Sequence, residues 1–401
     1  MTTIEFSLIP DADTDYDTVA RLMEDFKRET RIEVHLKRME WGNAWPQLIG
    51  IATQGQGVDI SHVGSTWVSS LMTMNALRPI PSHIVNKLGG EQAFVHSTWT
   101  NVVAEDDRHA YGIPLSSYVY IVAYRKDLLQ QAGLNEATAF ATPAALTESV
   151  TRLEALNACE NAWLMPVVPH PFNDFVHIAA SWIWSSGGSL MDNRGKQVVF
   201  NSPAAIAGLS SFLKLLQRVP DTDYLGADEC MNALVQGKAS AVITDARALN
   251  TAIHRKAPNI ENIGAASLMS IPWSGGGSIV IWRHTHGYPD RLDAAYKLVE
   301  FMTRKQTMIE LANNCYTLPS RTDALDELFP PDHALRPVML QLISTGRSYR
   351  AIALWHRIEY QFGAELGVVA KKLIKDKTLD VESTIREAMD SLAYRLNLTL
   401  G

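Results

Sequence analysis

The sequence contains few cysteines and no long apolar run. Cys159, Cys230 and Cys315 are the only cysteines among 401 residues, and their wide spacing excludes a CxxC metal site and a disulfide framework. No apolar segment approaches the ~20 residues that a membrane-spanning helix needs. A net charge of −7 argues against nucleic acid as a partner, because such binding depends on Lys and Arg neutralising phosphates. We expect no metal and no cofactor.

The sequence also lacks the motifs of common enzyme classes. No GxSxG, HExxH or Walker P-loop is present, and Gly55-x-Gly57 lacks the third glycine of a dinucleotide-binding loop. A glycosidase would need two carboxylates about 5–10 Å apart across the scissile bond. No pattern in the sequence pairs two acids in this way. We therefore expect a protein that performs no catalysis.

Length and composition are typical of a folded chain with two lobes. The 401 residues exceed what one hydrophobic core usually serves, and 46% hydrophobic with 20% charged residues is ordinary. Strands predicted at 4–9, 32–38 and 58–63 alternate with helices, one of them at 16–29. This β-α-β-α-β opening predicts a parallel sheet flanked by helices. The first strand follows Met1 directly, so we expect either a cytoplasmic chain or one that has lost a leader.

The rest of the chain continues this alternation. Strands are predicted at 119–124, 239–244 and 279–282, and helices after Thr142-Pro143, at 175–186, after Ser202-Pro203, at 290–304 and at the C-terminus. Pro46 is predicted to open a helix, and the stretch 313–331 is expected to be loose. The glycines at 275–277 form the clearest flexible point. Their late position suggests a chain that leaves the first lobe, builds the second and returns.

Two predicted strands end in polar turns that carry a tryptophan. Strand ends in an open α/β sheet are where ligands bind. A flat apolar ring beside carboxylate, amide and hydroxyl groups suits a sugar, whose faces are C–H and whose edges are hydroxyls. The candidate contacts in these turns are Glu40, Trp41, Asn43, Ser65 and Trp67.

Each of these residues also has a purely structural interpretation. Trp41 could pack under its own loop while Glu40 is solvated, and Ser65 could serve only as a helix N-cap. Trp45 lies at a predicted helix start, where a role in the core is the better expectation.

Short motifs spaced along nearly the whole chain resemble one family. The segment 26–34 is similar to "F-x-x-x-T-x-I-x-V", and 55–60 to "G-x-G-P-D-I" with Val58 in place of proline. The segments 111–114 and 124–129 are similar to the crossing segment and "Y-x-K-D-L". Further matches lie at 187–188, 200–203, 237–239, 294–302 and 318–321. In the order of these segments, the chain resembles the family 1 solute-binding proteins of ABC importers, the maltose-binding-protein-like group.

This resemblance implies an α/β, two-lobed periplasmic-binding-protein fold of type II, with a mostly parallel sheet in each lobe. It implies a ligand cleft between the lobes, closure on binding and delivery to a membrane permease. We expect lobes of 1–112 with 279–313 and of 113–278 with 314–401. Hinges are expected near 110–116, 274–279 and 313–319. The resemblance also implies a monomer in the periplasm or outside the cell, associated with the membrane.

The remaining candidate contacts follow from the resemblance and from their places at predicted strand and helix ends. Asp13 is similar to a sugar-binding acid of the family, and Tyr118 and Trp355 correspond to cleft positions. Arg247 departs from the Gly-x-Trp that the family commonly has there, and could pair with Asp245 instead of a ligand. The other candidates are Ser117, Asp174, His177, Trp273, Gly276 and Arg357, with Phe172 and Asn173 beside Asp174. His177 has a structural alternative as a lone helix histidine.

Four functions are therefore open from the sequence. The leading one is reversible binding of a carbohydrate, as an oligosaccharide, without chemistry. A variant binds an acidic or phosphorylated small molecule through Arg247 and Arg357, whose planar guanidinium suits carboxylates. The others are a glycan-cleaving enzyme on a two-lobed scaffold and a cytoplasmic sensor module.

Overall fold

A computed structural model describes residues 2–104, 109–167, 174–222, 224–349, 351–352 and 354–400, with Asp174 described by its backbone alone. The chain divides into two compact units, each made of three separate segments. Unit 1 comprises Met1–Tyr118, Ser274–Pro330 and Ser348–His356, and unit 2 comprises Val119–Trp273, Pro331–Arg347 and Arg357–Gly401. The expected lobe and hinge boundaries stay a prediction.

The first segment of the chain contains strands β1 to β4 and helices α1 to α5 of unit 1. The strands are β1 (Thr3–Leu8), β2 (Glu33–Arg38), β3 (Ile60–Gly64) and β4 (Ile113–Pro114); the helices are α1 (Asp13–Thr30), α2 (Trp41–Gln54), α3 (Ser65–Thr73), α4 (Ser82–Lys87) and α5 (His96–Trp99). Strand β5 (Ser116–Arg125) then carries the chain from unit 1 into unit 2.

Unit 2 continues with helices and three further strands. They are α6 (Lys126–Gln131), α7 (Pro143–Leu156), β6 (Asn161–Leu164), α8 (Asp174–Ser185), α9 (Pro203–Leu216), α10 (Ala227–Val235), β7 (Ala239–Asp245), α11 (Ala246–His254) and β8 (Ile263–Ser267).

The rest of the chain alternates between the units. Back in unit 1 lie β9 (Ser274–Gly275), β10 (Gly277–Ile281), α12 (Pro289–Thr303), α13 (Lys305–Cys315), β11 (Leu318–Pro319) and α14 (Thr322–Leu328). Unit 2 then takes α15 (Arg336–Thr345) and α17 (Val381–Leu400), together with all but the first two residues of α16 (Trp355–Lys375).

The sheet of unit 1 has the strand order β2-β1-β3-β10-β4. Strand β1 runs parallel to both β2 and β3, and β10 runs antiparallel to β3 and β4. The predicted parallel opening is confirmed. Ile4 and Phe6 of β1 are fully buried, and α1 adds Phe26, whose ring contacts Phe301 of α12 at 5.3 Å. The carboxyl ends of β1, β2 and β3 therefore point to one edge of the sheet.

The sheet of unit 2 is mixed. Strand β5 pairs antiparallel with β7 and with β8, and only β6 and β7 are parallel. The chain is α/β as expected, but the expectation of a mostly parallel sheet is corrected here. Strand β5 enters from unit 1 rather than through a βαβ crossover, and only such a crossover forces parallel pairing.

Several local predictions are confirmed and two are wrong. Thr142 caps α7 by accepting a hydrogen bond from Ala145 N at 3.1 Å, as the Thr-Pro pair indicates. Helix α2, however, begins at Trp41, and Pro46 lies inside it. Pro46 is the sixth residue of this helix, beyond the first four N–H groups that have no intrahelical partner, so it removes one helical hydrogen bond. The expected loose stretch 313–331 contains β11 and α14.

Within the part of the chain that the structure describes, no helix combines the length and the apolar character needed to cross a bilayer. All three cysteines are free.

Candidate functional site

In unit 1, the segments after β1 and β2 meet at the carboxyl edge of the sheet. Trp41, in the first turn of α2, donates a hydrogen bond from Nε1 to Asp11 Oδ1 at 2.8 Å. Trp41 was expected in an irregular turn, and the helix begins there instead. The hydrogen bond fixes the direction of the indole while 38% of the side chain remains exposed. An oriented, partly exposed indole is available to a planar apolar ligand surface.

Two further tryptophans extend this surface into an indole cluster, formed by Trp41, Trp45 and Trp67. The Trp41 and Trp67 rings lie 5.4 Å apart in an edge-to-face arrangement, and Trp45 lies 5.5 Å from Trp67. Trp67 is buried, with 3% of its surface exposed, and therefore supports the other two. His356 packs on Trp45 with 4.2 Å between ring centroids. Trp45 is half-buried against the core of unit 1, as expected, but it also belongs to this cluster.

The two predicted acids of unit 1 share one arginine. Arg38 donates from Nη1 to Asp13 Oδ1 and from Nε to Glu40 Oε1, each at 2.6 Å. All three side chains are largely exposed, and exposed ion pairs contribute only about 0–1 kcal/mol. A polar ligand can therefore exchange these contacts for its own at small cost. Asn43 is also exposed, and its Oδ1 accepts from Gln47 Nε2 at 2.8 Å.

Beneath Trp41 lies His62 of β3, which is buried. The centroids of the two rings are 6.4 Å apart. Burial lowers the pKa of His62, and the charge of Asp11 partly opposes this effect. Gly64, at the end of the same strand, leaves room for the indole, since a Cβ there would lie 3.3 Å from Trp41 Cζ3. The cluster therefore packs against a buried imidazole and against a residue without a side chain.

The start of α3 is tied to the glycine-rich return of the chain. Ser65 N donates to Gly276 O at 2.9 Å, and Gly64 rather than Ser65 occupies the N-cap position. Gly276 has φ of 148°, and a Cβ there would lie 1.9 Å from Ser116 O, so only glycine fits. Ser117, beside this contact, is buried, and its Oγ has no hydrogen-bond partner among the described residues. The predicted contact Gly276 therefore also has a structural role, because it lets the chain pass close to Ser116.

Trp355 of unit 1 stacks on Tyr349, with ring centroids 4.2 Å apart and an interplanar angle of 28°. The side chain is buried, and Nε1 has no acceptor within the described part of the chain. A buried indole N–H usually finds a partner, so this atom is a donor to which a polar guest could bind.

In unit 2, Trp273 and His177 form a parallel stack with 3.7 Å between centroids and an interplanar angle of 5°. Trp273 N donates to Ser181 Oγ of α8 at 2.8 Å, which fixes the stack on this helix. Burial lowers the pKa of His177 well below its ordinary value. The carboxylate of the buried Glu359 lies close to this stack, with Oε1 3.7 Å from His177 Nε2. The structure thus brings together two predicted contacts from distant segments.

The remaining predicted contacts come from other segments of the chain. Asp245 is the N-cap of α11, and its Oδ1 accepts from Ala248 N at 2.8 Å, while Arg247 is half-buried in the first turn. Tyr118, the last residue of unit 1 before the crossing, is half-buried, and Arg357 is exposed. The side chain of Asp174, together with Phe172 and Asn173, lies outside the described residues.

Arg347 is a residue that the sequence analysis missed. Its guanidinium carbon lies 4.6 Å from the centroid of Trp184 on α8. Its backbone pairs with the segment of Trp273, since Arg347 N donates to Pro272 O at 3.0 Å. A single arginine in a segment between two helices carries no signal in the sequence. Only the fold brings it beside the predicted contact Trp273.

Across the described residues, no group of three or more His, Cys, Asp or Glu side chains is arranged to hold a metal ion. The side chains that gather within each unit are indoles, imidazoles, carboxylates and hydroxyls. Such a set binds through ring stacking and hydrogen bonds.

Comparison with known proteins places these observations in a family. Residues 21–337 match the model of the bacterial extracellular solute-binding proteins. A binding protein of Brucella abortus (strain 2308) is 20% identical over 336 residues, covering 82% of this chain and 78% of that protein.

Solved structures share the fold over the full length. The sugar-binding protein MalE from Xanthomonas citri has a TM-score of 0.81 and 20% identity, covering 100% of this chain and 97% of its own. A solute-binding protein of an ABC transporter from Thermotoga lettingae, bound with α-D-tagatose, has a TM-score of 0.77 and 18% identity, with 100% of both chains covered. The fold is that of the two-lobed periplasmic binding proteins, and the chain belongs to the bacterial extracellular solute-binding protein family.

Proposed function

We propose that this protein is the substrate-binding component of an ABC importer and reversibly binds a carbohydrate, in the form of an oligosaccharide. The observation that carries the proposal is the indole cluster of Trp41, Trp45 and Trp67 at the carboxyl edge of the unit 1 sheet. Trp41 is held by Asp11 and remains 38% exposed, beside the acids Asp13 and Glu40. Indole faces suit the C–H faces of a sugar ring, and carboxylates suit its hydroxyls.

Buried polar atoms support the same interpretation. Ser117 Oγ and Trp355 Nε1 have no partners among the residues that the structure describes. An unsatisfied buried group costs about 1–3 kcal/mol, which a hydroxyl-rich guest recovers by bonding to it. The proposal keeps these two atoms and, within each unit separately, the other predicted solute contacts: Asn43, Ser65, Tyr118 and Gly276 in unit 1, and Asp174, His177, Asp245, Arg247, Trp273 and Arg357 in unit 2.

The proposal includes the family's mode of action. The protein acts as a monomer in the periplasm or outside the cell and delivers its solute to a membrane permease without changing it. Relatives of this fold that are named as binding maltose or cyclic oligosaccharides agree with an oligosaccharide as the solute. Solute binding shifts the protein towards a closed form, to the extent that the closed form binds the solute more tightly.

A thermal-shift screen over mono- and oligosaccharides tests the proposal, followed by calorimetry on the hits. At a solute concentration of 100 times Kd, binding stabilises the native state by about 2.7 kcal/mol, which raises Tm measurably. Solute recovered intact after incubation supports binding without catalysis, and recovery of shorter sugars contradicts it. Small-angle scattering with saturating solute tests closure, which is contradicted by unchanged dimensions. A screen in which no saccharide raises Tm contradicts the carbohydrate assignment.

A further inference from the structure

Arg347 has no acidic partner among the described residues, unlike five other arginines of unit 2. In this unit, carboxylates pair with Arg125, Arg152, Arg218, Arg386 and Arg395. Within the described residues, no carboxylate and no hydrogen-bond acceptor contacts the guanidinium of Arg347. The guanidinium lies over the face of the buried Trp184. Five N–H donors in a fixed planar fork are therefore left available to a ligand.

The backbone around Arg347 is held firmly on α8. Arg347 pairs with Trp273, and Arg347 N donates to Pro272 O. The segment of Trp273 is bound to α8 in turn, because Ser181 Oγ accepts from Trp273 N at 2.8 Å and Ser185 Oγ accepts from Ile271 N at 3.1 Å. The backbone from which the Arg347 side chain extends is therefore held by the helix and not by a free loop.

Arg347 also lies on the same side of α8 as two predicted solute contacts. His177 and Trp184 are seven residues apart, which brings them to one face of the helix about 10 Å apart along its axis. Trp273 covers His177, and its neighbour Arg347 covers Trp184. Two stacked pairs thus lie along one face of α8: the Trp273 indole on His177, and the Arg347 guanidinium on Trp184.

The environment of the guanidinium favours an anion. Partial burial lowers the pKa of Arg347, with no carboxylate to oppose the effect, while part of the side chain remains exposed. A cation that is partly removed from water and lies on an aromatic face gains more from an incoming anion than a fully hydrated one.

We propose that Arg347 recognises an anionic group on the solute, so that the natural solute is a carbohydrate bearing a carboxylate or a phosphate. The inference rests on the proposed carbohydrate function and narrows it. The guanidinium binds two oxygens of the anion in parallel, and Trp184 holds its plane. The sequence suggests Arg247 and Arg357 as contacts for an acidic solute. The structure adds Arg347, whose backbone is bound to α8 and whose guanidinium lies on Trp184.

The test compares matched pairs of neutral and anionic sugars by calorimetry on the full chain. Cellobiose is paired with cellobiouronic acid, and maltose with maltose 1-phosphate, which separates carboxylate from phosphate recognition. We expect the wild-type protein to prefer an anionic member, and Arg347→Gln to reduce that preference by about 10- to 100-fold, as charged hydrogen bonds are lost. Arg347→Lys keeps the charge but not the fork, so its loss is intermediate. Arg386→Gln removes the same charge from an exposed pair in unit 2 and serves as the control.

Each remaining outcome decides one of the two proposals. Binding of neutral and anionic members with equal affinity, unaffected by Arg347→Gln, overturns this inference and leaves the carbohydrate function intact. A preference for the anion that survives in a folded Arg347→Gln variant also overturns it. If no sugar binds, the proposed carbohydrate function is wrong. The anion site is then tested separately, by measuring Tm in the presence of inorganic phosphate or acetate. A rise in Tm with either anion, abolished by Arg347→Gln, supports the site, and no rise in the wild type overturns it.

Discussion

Replacing Trp41 with alanine should weaken sugar binding without unfolding the protein. The side chain is 38% exposed, and an indole presents about 250 Å² in all, so a sugar can cover about 95 Å² of it. At about 25 cal/mol per Å², complete coverage contributes about 2.4 kcal/mol, and coverage of half that area about 1.2 kcal/mol. The expected increase in Kd for the best sugar of the screen is therefore roughly 7- to 50-fold.

Isothermal titration calorimetry of the Trp41→Ala variant measures this increase, and thermal unfolding checks the fold. Loss of the edge-to-face contact with Trp67 should cost stability, by about 0.5–1.5 kcal/mol. Trp41→Phe keeps an aromatic face but loses the hydrogen bond to Asp11, and we expect an intermediate Kd. Tyr394→Ala removes another exposed aromatic side chain, 69% exposed on α17, and should leave Kd unchanged.

Two results would refute this reasoning. An unchanged Kd in a folded Trp41→Ala variant would mean that no solute ring covers the indole. An equal loss of affinity in Tyr394→Ala would mean that the effect arises from general changes in the protein and not from the indole cluster.

Three further predictions concern stability. Asp59 is fully buried and accepts hydrogen bonds from Arg291 Nη2 at 2.6 Å and from Glu5 N at 2.9 Å. The Asp59→Ala variant should therefore have a free energy of unfolding about 3–5 kcal/mol lower in urea titrations. A loss below about 1 kcal/mol would contradict this prediction. Gly276→Ala should cost at least about 2 kcal/mol, measured in the same way, because the new Cβ collides with a backbone oxygen, and a neutral effect would refute the close approach. Burial lowers the pKa of His177 in the folded state, so the unfolded chain takes up its proton first as the pH falls below about 6.5. Tm should be constant from pH 8 to 7 and fall towards pH 5.5, with a shallower fall in His177→Gln; a Tm that rises on acidification would contradict this sign.

The sequence predicts the fold well where a pattern is local. Ile4 and Phe6 of β1 alternate with more exposed residues, and Leu22 and Phe26 of α1 share one helical face, so period alone identifies both elements. Prediction failed at Pro46, which was treated as a helix start although Asn43 N already donates to Glu40 O in the turn before it. Backbone geometry there overrides a statistical preference of proline.

The candidate site is predictable only in part. Trp41 and Trp67 could be found because each follows one of the parallel strands β2 and β3, and the carboxyl ends of parallel strands meet at a common edge. His356 and Arg347 could not be found in this way, because they come from the last quarter of the chain. The residues that they contact are determined by packing between distant segments of the chain. The hydrophobic periodicity within one helix or strand carries no information about such packing.

The strand order of unit 1 has a consequence for synthesis of the protein. Strand β10 lies between β3 and β4, yet it is made only after the first segment of unit 2, Val119–Trp273. At about 5–20 residues per second, a ribosome needs roughly 8–30 seconds to travel from β4 to β10. During this interval the newborn half-sheet has an open flank at β3, with backbone groups free to pair with a wrong strand. Protection of that flank, by a chaperone or by rapid growth of the chain, is therefore a requirement that the strand order places on the cell.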